Sequence, residues 1–247
     1  MGETVSPPVG DLAAEAAALA GGSAGIGTVG RKGWPEGAAR DGDAARLAAG
    51  REALFWERVL AKSGANAVGE ALAGHGTFYQ WSHYPPGDVY DPETGSQWYY
   101  HAHPKSERPG EHGHFHTFRR LSERVVHLVA VSADGHGRAV QLFTTNRWVT
   151  GESWAPAEDA MLLLAGFDVV LARPSWPLNR WLSSLLRFYA PTVRELLVER
   201  DAAVRAWRDR HPDVTDVHED RRLEVASART IDLARDVASL EKALAGA

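Results

Sequence analysis

Two His-x-His pairs stand close together in this chain. His101 and His103 flank Ala102, and His114 and His116 flank Phe115, with His112 two residues earlier. With His83, six of the 11 histidines fall between positions 83 and 116. Alternate residues of a β-strand point to one face, so His101 and His103 project together with Tyr99 beside them. By the same period His112, His114 and His116 share a face that Phe118 extends. If the two segments pair as a hairpin, with 104–111 as the connection, the two rows face each other across neighbouring strands. Up to four imidazoles then come within reach of one ion, at about 2.0–2.1 Å per metal–nitrogen bond. The connection carries Glu107 and Glu111, and either carboxylate can complete the shell. The expected metal ligands are therefore His101, His103 and His114 or His116, with Glu107 or Glu111. Imidazole with carboxylate suits iron, zinc, manganese or copper. Three protein ligands with open positions favour oxygen chemistry at Fe(II), and four closed ligands favour a structural role. Iron leads on this reading.

Other residues can serve such a centre. Tyr99 and His83 are the candidates for moving protons. Asp88 and Asp91 lie beside His83 around a Pro-Pro-Gly turn, where they act as further ligands or bond nearby backbone amides. Arg147, next to Trp148 and near Trp154, is a candidate clamp for a carboxylate on a substrate or cofactor, with a structural pair to Glu152 as the alternative. His127, in an apolar strand, reads as a core histidine or as one lining a barrel interior. His136 reads as an exposed turn residue, and His218 as part of a capping, solvated charge cluster.

The segment Gly95-Ser96-Gln97-Trp98-Tyr99-Tyr100-His101-Ala102-His103-Pro104-Lys105-Ser106-Glu107 resembles the first cupin motif, in which a glycine precedes a His-x-His pair and a glutamate follows. The resemblance implies that His101, His103 and Glu107 bind metal and that a later histidine completes the set. It covers about thirteen residues. Gly113 comes one position early, Pro104 and Pro109 interrupt the strand, and the second cupin motif is absent downstream. More broadly, the run from His83-Tyr84-Pro85 through Gly113-His114-Phe115-His116 is similar to that of an uncharacterised bacterial domain family. That similarity implies no function.

Strands and helices must position these residues. Alternation and turn residues predict strands over 77–83, 97–103, 112–118, 124–132 and 138–145, the last two joined by an Asp134-Gly135-His136-Gly137 hairpin. Pro85-Pro86-Gly87 is expected to stop the first. Helical periodicity predicts helices over 44–62, 65–73, 156–165, 177–188 and 191–210. A final helix is expected over 216–245, where Leu223, Ala226, Thr230, Leu233, Val237, Leu240 and Leu244 trace a heptad-like seam. That seam packs on the domain or joins a homodimer. The fold class is α+β: an antiparallel sheet or small barrel, an N-terminal helix and a C-terminal helical region. Three regions are expected: a Gly/Ala-rich arm at 1–43, a helix with the His-rich β domain at 44–155, and helices at 156–247.

Composition narrows the function. The 247 residues carry 27 basic and 32 acidic side chains, a net charge of -5, which argues against nucleic acid as a partner. Without cysteine there is no disulfide, thiolate ligand or iron–sulfur cluster. No apolar run is long enough to span a bilayer, no secretory signal is visible, and a cytoplasmic location is expected. The Gly2/Ser6 myristoylation pattern is short and common. The glycine run at 21–27 lacks the strand and the Lys-Ser/Thr pair of a phosphate loop. Neither Gly-x-Ser-x-Gly nor His-Glu-x-x-His occurs, which removes the serine-hydrolase elbow and the zincin helix. Haem stays open, with one histidine as axial ligand among the nine tryptophans. A metal-dependent oxidoreductase acting on a small molecule is the expected function, with a non-catalytic metal- or haem-binding protein as the alternative.

Overall fold

The computed structural model describes residues 36–122 and 124–246. The glycine run at 21–27 and the Gly2/Ser6 pattern lie outside the described residues. Six strands form one antiparallel meander: β1 (Tyr84–Asp91), β2 (Ser96–His101), β3 (Gly113–Leu121), β4 (Arg124–Ala133), β5 (Ala139–Thr145) and β6 (Val225–Thr230). Polar turn residues set the reversals. The Asp91 carboxylate accepts from the Glu93 and Thr94 amides after β1, and Asp134 accepts from those of His136 and Arg138 in the β4–β5 hairpin.

Seven α-helices accompany the sheet among the described residues: α1 (Glu36–Lys62), α2 (Ala67–Leu72), α3 (Arg147–Thr150), α4 (Ala157–Ala165), α5 (Trp176–Phe188), α6 (Ala190–Arg210) and α7 (Leu233–Ala245). α5 carries the clearest local signals. Ser175 caps it by accepting from the Leu178 amide, Pro177 lies in its first turn, and Leu178, Trp181, Leu182, Leu185 and Phe188 are buried. Its Asn179 accepts from the Trp98 indole at 3.0 Å, and its Trp181 ring meets Phe115 edge to face at 5.6 Å. Trp98, Phe115 and Trp181 are fully buried, each contributing roughly 1.5–3 kcal/mol of apolar transfer. α6 is tied to the same side of the sheet through Ser227, which meets Thr144 and donates to the Leu196 carbonyl. α1 packs outside α5, and a side chain at Gly50 would collide with Phe188 and Val237.

Three expectations change. The sheet is open, not a barrel: β1 and β6 are its edges and do not pair with each other among the described residues. Helices cover one face, so closure is not needed to bury it. Residues 77–83 do not form a strand. β1 starts at Tyr84 and runs through Pro85-Pro86-Gly87, which an edge strand tolerates because it needs donors on one side only. The expected 216–245 helix is three elements: a 3-10 turn at Val217–Glu219, β6 and α7. Pairing with β5 overrides the heptad-like spacing, and Asp232 caps α7 afresh by accepting from the Arg235 amide. Leu233 and Val237 are buried in the chain's own core. The expected arm at 1–43 overlaps α1, which begins at Glu36. No helix of the described residues is long and apolar enough to cross a membrane.

Candidate metal centre

The β2–β3 register pairs His101 with His114 and Tyr99 with His116. These four residues share the face turned away from α5, while Trp98, Tyr100, Phe115 and Thr117 occupy the other by strict alternation. Gly113 opens β3 because a Cβ there would collide with the Tyr100 hydroxyl and the His101 carbonyl. His112 precedes the strand and leaves the row. Its ring nitrogen bonds the Tyr100 hydroxyl at 2.6 Å, on the opposite side, so the expected three-histidine row holds only His114 and His116.

His101, His103 and His114 converge. One ring nitrogen from each lies within 4.8 Å of the others, and the Nε2 atoms of His101 and His114 are 2.6 Å apart. Nitrogens sharing an ion stand roughly 3–4 Å apart at ordinary metal–nitrogen bond lengths, so small side-chain shifts bring these three onto one centre. Two imidazole nitrogens this close need a shared proton or a shared cation between them. His103 follows β2, and the exposed Trp81 ring packs on it at 4.0 Å.

Glu107 and Glu111 do not join the converging atoms. Glu111 accepts from Nδ1 of His114 at 2.6 Å, and Glu107 from Nδ1 of His103 at 3.1 Å. Each carboxylate thereby fixes its ring's tautomer with the lone pair on Nε2. This is the usual outer-layer arrangement around a metal-binding histidine. Burial raises the Glu111 pKa, but the His114 hydrogen bond and the Arg108 charge outweigh it, and the group sits below the ordinary carboxylate value. Burial and the neighbouring His114 and His103 rings push His101 down to about 2. Burial also lowers His114, against the opposing pull of Glu111. Neutral rings are the form in which imidazole binds metal.

A second histidine pair lies deeper on the same face. His116 Nδ1 is 3.0 Å from His127 Nε2, and His127 Nδ1 is 3.4 Å from the Thr145 hydroxyl. A bulge makes this possible. Between Thr117 and Phe118 the β3–β4 register slips, so Thr117 faces Val129 while Phe118 faces His127, leaving Leu128 as the extra residue. Unbroken alternation would put His127 on the side of Val129, against the helices. Burial pushes His127 down to about 3 and His116 well below its ordinary value. Nε2 of His116 is buried with no hydrogen-bond partner among the described residues.

Aromatic rings complete the walls. His83 stacks on Tyr99 at 3.6 Å with a 9° interplanar angle, held by Asp88 at 2.9 Å. Burial raises the Tyr99 hydroxyl well above its ordinary pKa. Asp91 is spent on the Glu93, Thr94 and Val170 amides. Phe143 of β5 meets His114 edge on at 5.0 Å, and the Arg108 guanidinium covers that ring at 4.5 Å while pairing with Glu224 at 2.8 Å. A surface groove lined by His103, Glu107, Arg108, Trp207, Leu223 and Glu224 leads to the triad's outer edge.

Arg147 is committed elsewhere, to Asp216 at 2.7 Å and Glu219 at 2.9 Å, so it neither pairs with Glu152 nor joins the converging side chains. Glu152 takes the Thr150 hydroxyl, and burial raises its pKa to about 7. Sequence reasoning missed the site roles of His127, Thr145 and Arg108. Only the histidine in an apolar strand hinted at the first.

No curated protein and no solved structure matches this chain. The β-sheet with its histidine face, the connection carrying Glu107 and Glu111, and helices α2 to α6 all fall within the match of one family, over residues 47–231. The chain belongs to the family described as domain of unknown function DUF6969.

Proposed function

We propose that this chain is a metal-dependent oxidoreductase with a mononuclear non-haem iron centre held by His101, His103 and His114. The supporting observation is the convergence of three imidazoles, two of them held by carboxylates at Nδ1, beside an aromatic wall and a surface groove. Iron in such a site supplies oxygen activation or Lewis-acid polarisation of a bound oxygen substrate. The chain's own residues supply the rest. Glu107 and Glu111 hold the rings in register. Tyr99, kept protonated, can donate a hydrogen bond, and its stacked partner His83 can exchange protons with solvent at the exposed rim. Trp81, Phe118 and Phe143 limit water around the ligands. A small molecule reaches the ion by way of the groove at His103. Three rings meeting at one point suit a single ion better than a haem plane, so haem falls behind.

The test is spectroscopic. Protein made without a histidine tag is loaded with Fe(II) in the absence of air and treated with nitric oxide, a stand-in for O₂ that needs a free coordination position. A half-integer (S = 3/2) resonance is expected, lost in His101→Ala and His114→Ala. Iron bound without that resonance would end the oxygen-chemistry reading. A non-catalytic binding protein is the second reading, favoured by one observation: the unpartnered Nε2 of His116, which could close a tetrahedral zinc shell.

A further inference from the structure

The triad does not account for His116. Its side chain is wholly buried, its ring centroid lies 4.7 Å from that of His114 and 5.2 Å from that of His101, and its Nε2 has no partner among the described residues. A buried ring nitrogen left without a hydrogen bond is costly, and either tautomer leaves one nitrogen needing a partner. A lone pair at Nε2 is the arrangement a cation would satisfy.

The other side of the ring repeats a pattern. Nδ1 of His103 faces Glu107, Nδ1 of His114 faces Glu111, and Nδ1 of His116 faces His127. In each case Nδ1 has a bonding partner, which leaves Nε2 as the ring nitrogen that can carry the lone pair. His127 can play the carboxylate's part if its Nε2 accepts from His116 and its own Nδ1–H donates to Thr145. The bulge in β4 is what turns His127 to this face, so the backbone irregularity and the buried pair point the same way.

We infer that His116 supplies a fourth nitrogen to the ion and that His127, anchored on Thr145, is the positioning residue that holds it there. The inference rests on the metal centre proposed above and deepens it. Four protein nitrogens would close a tetrahedral zinc site, yet leave two positions free on six-coordinate iron, so His116 decides what each metal can do here.

The test uses the full chain, stripped with chelator and titrated with Co²⁺ alone, whose visible bands report ligand number. His116→Leu is expected to shift those bands, as loss of a nitrogen ligand requires. His127→Leu should weaken Co²⁺ binding by roughly 10–100-fold, the usual effect of losing an outer-layer partner, and His127→Gln, whose amide can still accept from Nδ1, should recover part of it. Circular dichroism and melting of the metal-free forms separate these effects from misfolding. If a variant does not fold, the wild type decides: ¹⁵N-histidine spectra with Zn²⁺ should give four metal-bound Nε2 atoms. Three bound nitrogens, wild-type Co²⁺ bands in His116→Leu, or wild-type affinity in His127→Leu would each overturn this inference and leave the triad standing. Failure of the wild type to bind either ion would remove both.

Discussion

The two faces of the sheet are built from the same strands, yet they solve opposite problems. On the helix side, most buried polar groups find partners within the fold: the Trp98 indole meets Asn179, the Thr117 hydroxyl the Val129 carbonyl and Thr144 meets Ser227, while Nε of Arg119 and Oδ2 of Asp159 have none among the described residues. Apolar packing against α5 and α6 does the rest. On the other side, His101, His114, His116 and His127 are buried together, with one pair of nitrogens crowded and another nitrogen unpartnered. The first face is arranged for stability. The second buries polar rings whose nitrogens are not all satisfied within the chain, a cost that functional sites commonly carry.

The contrast can be broken most sharply by exchanging the damage. Trp181→Ala, on the helix side, should cost about 3–5 kcal/mol in chemical denaturation of the metal-free protein, from lost packing and a new cavity. His114→Leu should leave that stability nearly unchanged or raised. Its effect should appear instead as loss of the added stability on metal loading, which for the wild type reaches about 2.7 kcal/mol at a free ion concentration 100 times Kd. If His114→Leu unfolds the metal-free protein as severely as Trp181→Ala, the division between the faces is wrong.

Acid should act on the buried histidines and on the buried Glu152 with opposite sign. His101 and His127 have folded pKa values of about 2 and about 3 against 6.5 for the free group. The unfolded chain therefore binds more protons below 6.5. The stability of keeping these rings neutral is full above that pH and is lost as pH falls towards the folded values, with a slope of up to about 1.4 kcal/mol per pH unit per group. Glu152 runs the other way. With its pKa raised from 4.5 to about 7, its contribution is present at low pH and declines as pH rises through that interval. Denaturation of the metal-free protein between pH 4 and 8 should thus steepen on the acid side in Glu152→Gln, which deletes the opposing carboxylate. An unchanged profile would mean that Glu152 does not hold its proton.

A smaller effect grades the outer layer. Glu111→Gln should weaken metal binding by roughly 10–100-fold, because Glu111 is buried against His114. Glu107→Gln should do less, since Glu107 is 50% exposed and its bond to His103 competes with water. Equal losses in a competitive chelator titration would overturn that ranking.

Much of the site was legible because strand periodicity is strict. His-x-His spacing put His101 with Tyr99 and His114 with His116, and the short connection made them cross-strand neighbours. The two glutamates were found beside the histidines, but sequence cannot tell a carboxylate that joins the converging nitrogens from one that bonds Nδ1, where the structure puts both. His112 was misplaced by one position, where the strand starts only at Gly113. At the C-terminal end, heptad-like spacing through Leu223 and Thr230 read as a helix because local pattern carries no information about an open β5 edge awaiting a partner.

The sequence by itself determined the α+β class, the helix starts at Ser175 and Pro177, and the histidine row of β2 and β3, all of which follow from short-range periods and caps. Only the tertiary structure decided that the sheet stays open, that 225–230 joins it, that Arg147 answers Asp216 and Glu219, and that His127 faces His116. Each of these depends on contacts between distant segments or on a single-residue bulge. One inserted residue reverses every side chain beyond it, and no local pattern records where that insertion falls.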